Sequence, residues 1–143
     1  LRSAGIEVDA VAPEAVALLD TYDAVIVGSG VYMGRWLGPA RDLLKSRAGE
    51  LRTLPVWLFS SGPVTGVDDP ADAAEGNRLL ELVEGREHRV FAGRLERDGL
   101  GFTERVIVRM IRSPWGDYRP WESIRSWAAG IAASLDGAGV SQT

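Results

Sequence analysis

The sequence contains no cysteine and a single histidine, and both shortages limit the chemistry open to it. Without cysteine there can be no disulfide, no thiolate metal site and no thiol nucleophile. The one histidine, His88, lies between two charged residues ahead of a predicted strand, where we expect it to be exposed. A nucleophilic serine needs a base, and with the single histidine exposed a Ser-His-Asp triad is not favoured.

Long apolar runs and the common nucleotide-binding motifs are also missing. No apolar stretch approaches the roughly 20 residues of a membrane-spanning helix. No Gly-Lys-Ser/Thr occurs, and the stretch GSGVYMG at residues 28–34 has its last glycine one place too late for a dinucleotide fingerprint. With a net charge of −4 and no basic stripe among aromatics, nucleic-acid binding is not favoured. A group of acidic residues is better explained as capping a helix than as a metal site: Asp68, Asp69, Asp72 and Glu75.

What the 143 residues do contain is an alternation of strand-like and helix-like segments. Strands are predicted over residues 6–11, 24–27, 55–61 and 89–95, the first of them half-buried or at an edge. A helical turn is predicted over 13–19, and helices from Pro39 to a stop at Gly49, from Asp69 to near Gly85, over 102–111 and over 121–135. The alternation predicts a mostly parallel α/β sheet in one domain, residues 1–136, with a flexible tail over 137–143.

Two glycine-rich loops are predicted at the carboxyl ends of buried strands, where sheets of this kind bind ligands. In the first loop, Gly28 and Gly30 would let the backbone approach a ligand, and the Ser29 hydroxyl would serve a polar ring edge. Tyr32 and Trp36 would offer flat faces for stacking on an aromatic ring. The alternative is a tight strand-to-helix turn with packed aromatics, and the loop alone does not decide between the two.

The second loop, FSSGPVTG, places two hydroxyl groups directly ahead of a Gly-Pro pair. Ser60 and Ser61 would donate hydrogen bonds to the heteroatoms of a planar ligand, and an ordinary β-turn is the alternative. Because neighbouring parallel strands end at the same rim, Gly30 and Gly62 should lie together and leave a slot for a flat heterocycle.

Three arginines recur at helical spacing on a segment whose other positions are apolar: Arg105, Arg109 and Arg112. Such a helix could lie on an anionic membrane or hold a carboxylate-bearing substrate. A helix packed on the sheet with its arginines in water is the simpler alternative.

The opening residues, LRSAG, are typical of the end of a helix, with Gly5 just past its last turn. The four residues ahead of this glycine are too few to form that helix. We therefore expect about 30 further residues upstream, carrying one strand and the body of the helix.

Most of the chain resembles the flavodoxin-domain family, and within it the proteins related to menaquinone-dependent protoporphyrinogen IX dehydrogenase. The residues that carry the resemblance are Y-D-x-V-x-x-G at a strand end, then x-x-Y-x-G-x-W, W-x-F-S-S-G-P and V-F-A-G-x-L. The resemblance implies a three-layer, doubly wound parallel sheet of order 2-1-3-4-5 with FMN at its carboxyl edge. In this interpretation the first strand and most of the first helix are not in the chain, nor is the hydroxyl-rich loop that holds the FMN phosphate.

The resemblance also implies which residues contact FMN and what the protein does. Tyr32, Met33 or Trp36 would lie beside the flavin ring, within the set Gly28, Ser29, Gly30, Val31, Tyr32, Met33, Gly34, Trp36, Ser60, Ser61 and Gly62. The implied activity is a cytoplasmic oxidoreductase, with a peripheral contact at the inner face of the membrane as an open option. It would pass electrons from protoporphyrinogen IX or a similar reduced donor to a quinone, and the three arginines would hold the porphyrin propionates. Two alternatives stay open: an electron-carrier flavodoxin with protein partners, and a truncated, cofactor-free remnant that associates with other chains.

Overall fold

The computed structural model describes residues 1–62, 70–92, 94–95, 116–117 and 120–140. The chain divides into two compact units, one made of Leu1–Val11 with Pro120–Thr143 and the other of Ala12–Arg119. In the described ranges, no helix combines the length and the apolar character needed to cross a lipid bilayer.

The larger unit is built on a four-stranded sheet. Its strands are β1 (Val25–Tyr32), β2 (Arg35–Trp36), β3 (Val56–Ser61) and β4 (Glu87–Phe91), in the order β2-β1-β3-β4. The strands β1, β3 and β4 are parallel, whereas β2 forms an antiparallel hairpin with β1. The predicted fold class, a mostly parallel flavodoxin-like α/β sheet, is confirmed, and β1-β3-β4 corresponds to the last three strands of the implied order.

Two predicted strands differ from the structure. Residues 6–11 form no strand, so that prediction is wrong: a strand needs a neighbouring strand, and no described strand pairs with this segment in a sheet. The predicted strand over residues 89–95 is divided. Its first part belongs to β4, while β5 (Arg94–Leu95) pairs with β6 (Gly116–Asp117) in a separate two-stranded sheet.

The helices of the described ranges are α1 (Gly38–Ser46), α2 (Ala48–Leu51), α3 (Pro70–Leu82) and α4 (Trp121–Val140), with 3₁₀ turns at Arg2–Ala4 and Pro13–Ala15. The helix predicted to stop at Gly49 instead breaks at Arg47, whose φ of −110° and ψ of 16° are not helical. Gly49 therefore lies inside α2. The last helix is longer than predicted and reaches Val140, so the start of the predicted flexible tail is helical.

The hydrophobic core of the larger unit lies on the face of the sheet that β1 and β3 share with α1 and α3. Leu44, Leu51, Val56, Leu58 and Val83 are each 0% exposed in this core. Burying one such side chain stabilises the fold by about 1.5–3 kcal/mol. On the strands these core positions alternate with positions on the opposite face of the sheet, where Trp57 is also buried, at 4% exposure.

Candidate functional site

The first glycine-rich segment is a strand followed by a tight turn, so the prediction of a loop over residues 28–34 is wrong. β1 continues through Gly28, Ser29 and Gly30, which pair in register with Phe59, Ser60 and Ser61 of β3. Glycine is a weak strand former, but a parallel neighbour that supplies a full ladder of hydrogen bonds overrides that weakness. The strand therefore ends at Tyr32, well beyond the apolar run that predicted it.

The turn between β1 and β2 consists of Met33 and Gly34, both with positive φ, at 51° and 75°. Two positive φ angles define a type I′ hairpin turn, whose twist matches that of the flanking strands. Gly34 adopts this conformation readily, but a non-glycine residue at the first position is uncommon. Met33 is also 79% exposed, so the tip of the hairpin presents a large apolar side chain to solvent.

The hairpin and the end of β3 meet at one edge of the sheet. Gly30 pairs with Ser61, and Gly62 follows directly with a φ of 125°. The amide of Gly62 donates to the carbonyl oxygen of Phe91 at 2.9 Å, and a Cβ on Gly62 would lie 3.4 Å from the carbonyl oxygen of Val31. The prediction that Gly30 and Gly62 share one edge is confirmed.

The two glycines of β1 have different surroundings. A Cβ placed on Gly28 would lie within 2.5 Å of three ring atoms of Phe59, so the space that was predicted to admit a ligand is filled by this ring. A Cβ on Gly30 would meet only Leu37 at 3.7 Å and Tyr32 at 4.0 Å, which are ordinary contacts. Room for a ligand therefore begins at Gly30.

Three residues predicted to contact the ligand point into the interior instead. Ser29 is 7% exposed, and its Oγ accepts from the amide of Leu37 at 2.9 Å and donates to the carbonyl oxygen of Gly30 at 2.8 Å. Ser60 is 0% exposed and Trp36 is 2% exposed, and the indole Nε1 donates to Ser60 Oγ at 2.9 Å. Strand alternation turns both serines to the core face, and Trp36 lies inward with them, so the contacts of these three side chains with a ligand stay a prediction.

His88 is half-buried, so the prediction that it is exposed is wrong. It lies in β4 opposite Leu58, on the core face of the sheet. Its Nε2 is 2.7 Å from Ser60 Oγ, and its Nδ1 is 2.9 Å from Asn77 Oδ1. Burial lowers the pKa of the imidazole, since desolvation disfavours the charged form. The alternation of charged and neutral residues in EHRVF was the signal that could have placed this ring inward.

The Ser60–His88–Asn77 chain has the order of a nucleophile, a base and an orienting group, but it does not form a hydrolytic site. Ser60 is fully enclosed and already accepts a hydrogen bond from Trp36, so no substrate carbonyl can reach its Oγ.

Glu75 lies in α3 and holds the hairpin from the helix side. Its Oε2 accepts a hydrogen bond from the backbone amide of Trp36, and its Oε1 lies 3.7 Å from Arg41. The sequence predicted helix capping for this carboxylate, and the contact with Trp36 was not foreseen because it joins residues that are distant along the chain.

Within the described part of the chain, no group of acidic or histidine side chains could hold a metal ion. Arg105, Arg109 and Arg112 lie outside the described residues.

A comparison of the sequence with models of known protein families identifies the family of this chain. The model of the family described as "Flavodoxin domain" matches residues 1–119. The chain belongs to this flavodoxin-domain family. No curated protein and no solved structure matches the sequence. Membership indicates an FMN-binding redox function at a general level.

The edge residues fit one part of FMN better than another. Gly30 leaves space for the rim of a flat ring, with Ser61, the half-buried Tyr32 and the exposed Met33 beside it, whereas Gly62 is buried and its amide already donates to Phe91. For the phosphate, the described residues ahead of β1 contain no glycine- and hydroxyl-rich turn at a helix N-terminus, which is the usual anion site. The site therefore suits the isoalloxazine ring, with the phosphate-binding part not among these residues.

Proposed function

We propose that this domain binds FMN with the isoalloxazine ring at the carboxyl edge of β1 and β3. The observation that carries the proposal is the common edge formed by the hairpin turn and by the Ser61–Gly62 turn. Gly30, Tyr32 and Ser61 share the sheet face opposite the core, because β1 and β3 alternate in register. The flavin supplies the electron-transfer chemistry when bound.

The residues of this edge have distinct roles in the proposal. The backbone at Gly30 contacts the polar rim of the ring, since this residue carries no Cβ, and the buried Gly62 holds the end of β3 beside it. Met33 covers the ring from the hairpin tip with a polarizable thioether, and Tyr32 limits access of water to it. Ser61 supplies the hydroxyl of the edge, in place of the enclosed Ser60.

We further propose the reaction that the resemblance implies. The protein passes electrons from protoporphyrinogen IX, or a similar reduced donor, to a quinone in haem biosynthesis. It works in the cytoplasm, with a contact at the inner face of the membrane where quinones reside, and it does not bind nucleic acid. The arginines Arg105, Arg109 and Arg112 hold the donor's propionates, because guanidinium groups pair well with carboxylates.

The first experiment measures FMN binding by the purified chain. Titration with FMN should quench flavin fluorescence, and Tyr32→Ala and Met33→Ala should weaken binding. Leu18→Ala is the matched control, because Leu18 is 62% exposed and belongs to no part of the proposed edge. Equal affinity in all four proteins, or no binding by any of them, would remove the proposed site.

The second experiment tests the reaction in the flavin-loaded protein. Protoporphyrinogen oxidation with a menaquinone analogue should proceed, and replacing all three arginines with Gln should raise KM with flavin content unchanged. Reduction and reoxidation of the flavin without turnover of the porphyrinogen would favour the electron-carrier alternative.

The internal hydrogen bonds of Ser29 and Ser60 support a second candidate function, that of a cofactor-free protein that associates with other chains. With both hydroxyls committed to internal hydrogen bonds, the domain has fewer groups to offer a cofactor. A chain that stays colourless in excess FMN and forms complexes with other proteins would be a cofactor-free member of the family.

A further inference from the structure

The hairpin that flanks the proposed flavin site is tied to α3 at two points. At the backbone, Glu75 accepts from the amide of Trp36. Through its side chain, Trp36 donates from the indole N–H to Ser60 Oγ, and Ser60 is hydrogen-bonded in turn to His88. His88 then returns to α3 through Asn77. The hairpin is therefore held in position by a network of hydrogen bonds that begins and ends on α3, in addition to the turn itself.

Each donor and acceptor in the side-chain circuit can be assigned. The Asn77 Oδ1 is only an acceptor, so Nδ1 of His88 carries a proton. In the neutral ring Nε2 is then an acceptor, and it receives the O–H of Ser60 at 2.7 Å. The Ser60 oxygen keeps a lone pair for the Trp36 indole, which can only donate. In this one arrangement the hydrogen-bonding groups of His88, Ser60 and the Trp36 indole each have a partner.

The space for the imidazole is also specific. A Cβ on Gly76 would lie 2.9 Å from Cδ2 of His88 and closer still to Cε1 and Nε2. The neighbouring helix therefore carries glycine where the ring lies against it. The Trp36 and His88 rings are 6.2 Å apart between centroids, at an interplanar angle of 54°.

We propose that His88 is a positioning residue of the β1–β2 hairpin, acting through Ser60 and Trp36. The hairpin's relevance to FMN rests on the proposed function. Protonation of His88 would make Nε2 a donor, so Ser60 would face two donors and its own O–H would have to find another acceptor. The Ser60 O–H then loses the acceptor that holds it in place, so the position of Ser60 Oγ changes and the indole and the turn at Met33 and Gly34 shift with it.

No charged side chain that the structure describes is hydrogen-bonded to the His88 ring, and burial lowers its pKa. β3 has no ionisable side chain over Val56–Ser61. On α3, the Glu75 carboxylate is engaged by Trp36 and Arg41. Glu87 and Arg89 pair with each other at 2.7 Å, and alternation turns them to the opposite face of the sheet. Among the other charged residues of β2 and α3 whose side chains the structure describes, three are exposed: Arg35, Arg78 and Glu81.

The test compares two substitutions at one position in the full chain without FMN. His88→Gln keeps an acceptor near the Nε2 position, whereas His88→Phe fills the ring space without one. Arg89→Gln is the matched control, one residue along the strand on the opposite face. NMR signals of the Trp36 indole N–H and of the Met33 and Gly34 amides are followed between pH 5 and 8.

In the unmodified chain these three signals should shift together with one midpoint below the ordinary histidine value of about 6.5. His88→Gln should show no such midpoint and should resemble the neutral form, and His88→Phe should be displaced at every pH. Hairpin signals of His88→Phe that superimpose on those of the unmodified chain would overturn the proposal, as would hairpin signals that do not titrate in the unmodified chain.

FMN affinity then separates the two proposals. His88→Phe should bind FMN about tenfold more weakly than the unmodified chain, the effect of one lost buried hydrogen bond, and His88→Gln should stay near the unmodified value. Equal affinity in His88→Phe would overturn the positioning role at the site while leaving the flavin proposal intact. Absence of FMN binding in every protein, with the hairpin signals titrating as expected, would refute the proposed function and support the positioning role.

Discussion

Replacing Gly28 with Ala should destabilise the protein, although alanine is the better strand residue. A Cβ at this position would lie within 2.5 Å of three ring atoms of Phe59, far inside ordinary contact distance. Displacing the ring would also disturb its contact with Phe91, since the two ring centroids are 6.4 Å apart. The added methyl group therefore acts as overpacking of a tightly filled site.

The magnitude follows from two opposing terms. Gly-to-Ala by itself stabilises a strand by roughly 0.5–1 kcal/mol, because the unfolded chain loses conformational freedom. Overpacking costs about 1–3 kcal/mol, from displaced rings and strained rotamers. We expect a net loss of about 0.5–2 kcal/mol in the free energy of unfolding, measured by urea titration.

A double-mutant cycle with Phe59→Leu tests the cause. Removing the ring should abolish most of the cost of Gly28→Ala, so the two effects should not add. Gly130→Ala in α4 is the control, since a Cβ there meets nothing within 4 Å and should stabilise the helix by up to about 1 kcal/mol. An unchanged stability for Gly28→Ala, or an equal loss without the ring, would refute the steric explanation.

Three further predictions concern stability. Gly62→Ala should cost about 1–3 kcal/mol by urea titration, because its φ of 125° is unfavourable for any residue with a Cβ; a loss below 0.5 kcal/mol, roughly the effect of a surface substitution, would contradict this. Leu58→Ala, at 0% exposure, should cost about 2–5 kcal/mol, whereas Leu18→Ala, at 62%, should change stability by less than about 0.5 kcal/mol; similar losses would mean that the core is misplaced. Burial lowers the pKa of His88, so the free energy of unfolding should be at its full value above about pH 6.5 and should fall as the pH drops towards the folded-state pKa. His88→Gln should remove this part of the pH dependence of stability. An identical pH profile in the variant would contradict the prediction.

Local pattern was sufficient for the parts of this protein whose structure depends on nearby residues. The apolar run in β3 predicted its strand almost to the residue, and Asp69-Pro70 predicted the start of α3. The shared edge of Gly30 and Gly62 followed from the rule that parallel strands end together. The family could be recognised from the same short motifs, and the family comparison confirms it.

The inward or outward direction of the polar side chains could not be predicted in the same way. Ser29, Ser60 and His88 were each interpreted from their neighbours along the chain, but strand register and alternation turn all three to the core face. The extension of β1 through its glycines depended on β3 lying alongside. Glu75 reaches Trp36 only because α3 packs beside the hairpin.

The sequence by itself determined that this chain folds as a flavodoxin-type α/β sheet and that Gly30 and Gly62 share one edge of that sheet. Only the tertiary structure decided which side chains line the edge and which ones hold it from behind. The physical reason is that local pattern is enough to predict most strands and helices, whereas the far end of β1 and the hydrogen-bond partners depend on groups that only the packed fold brings together.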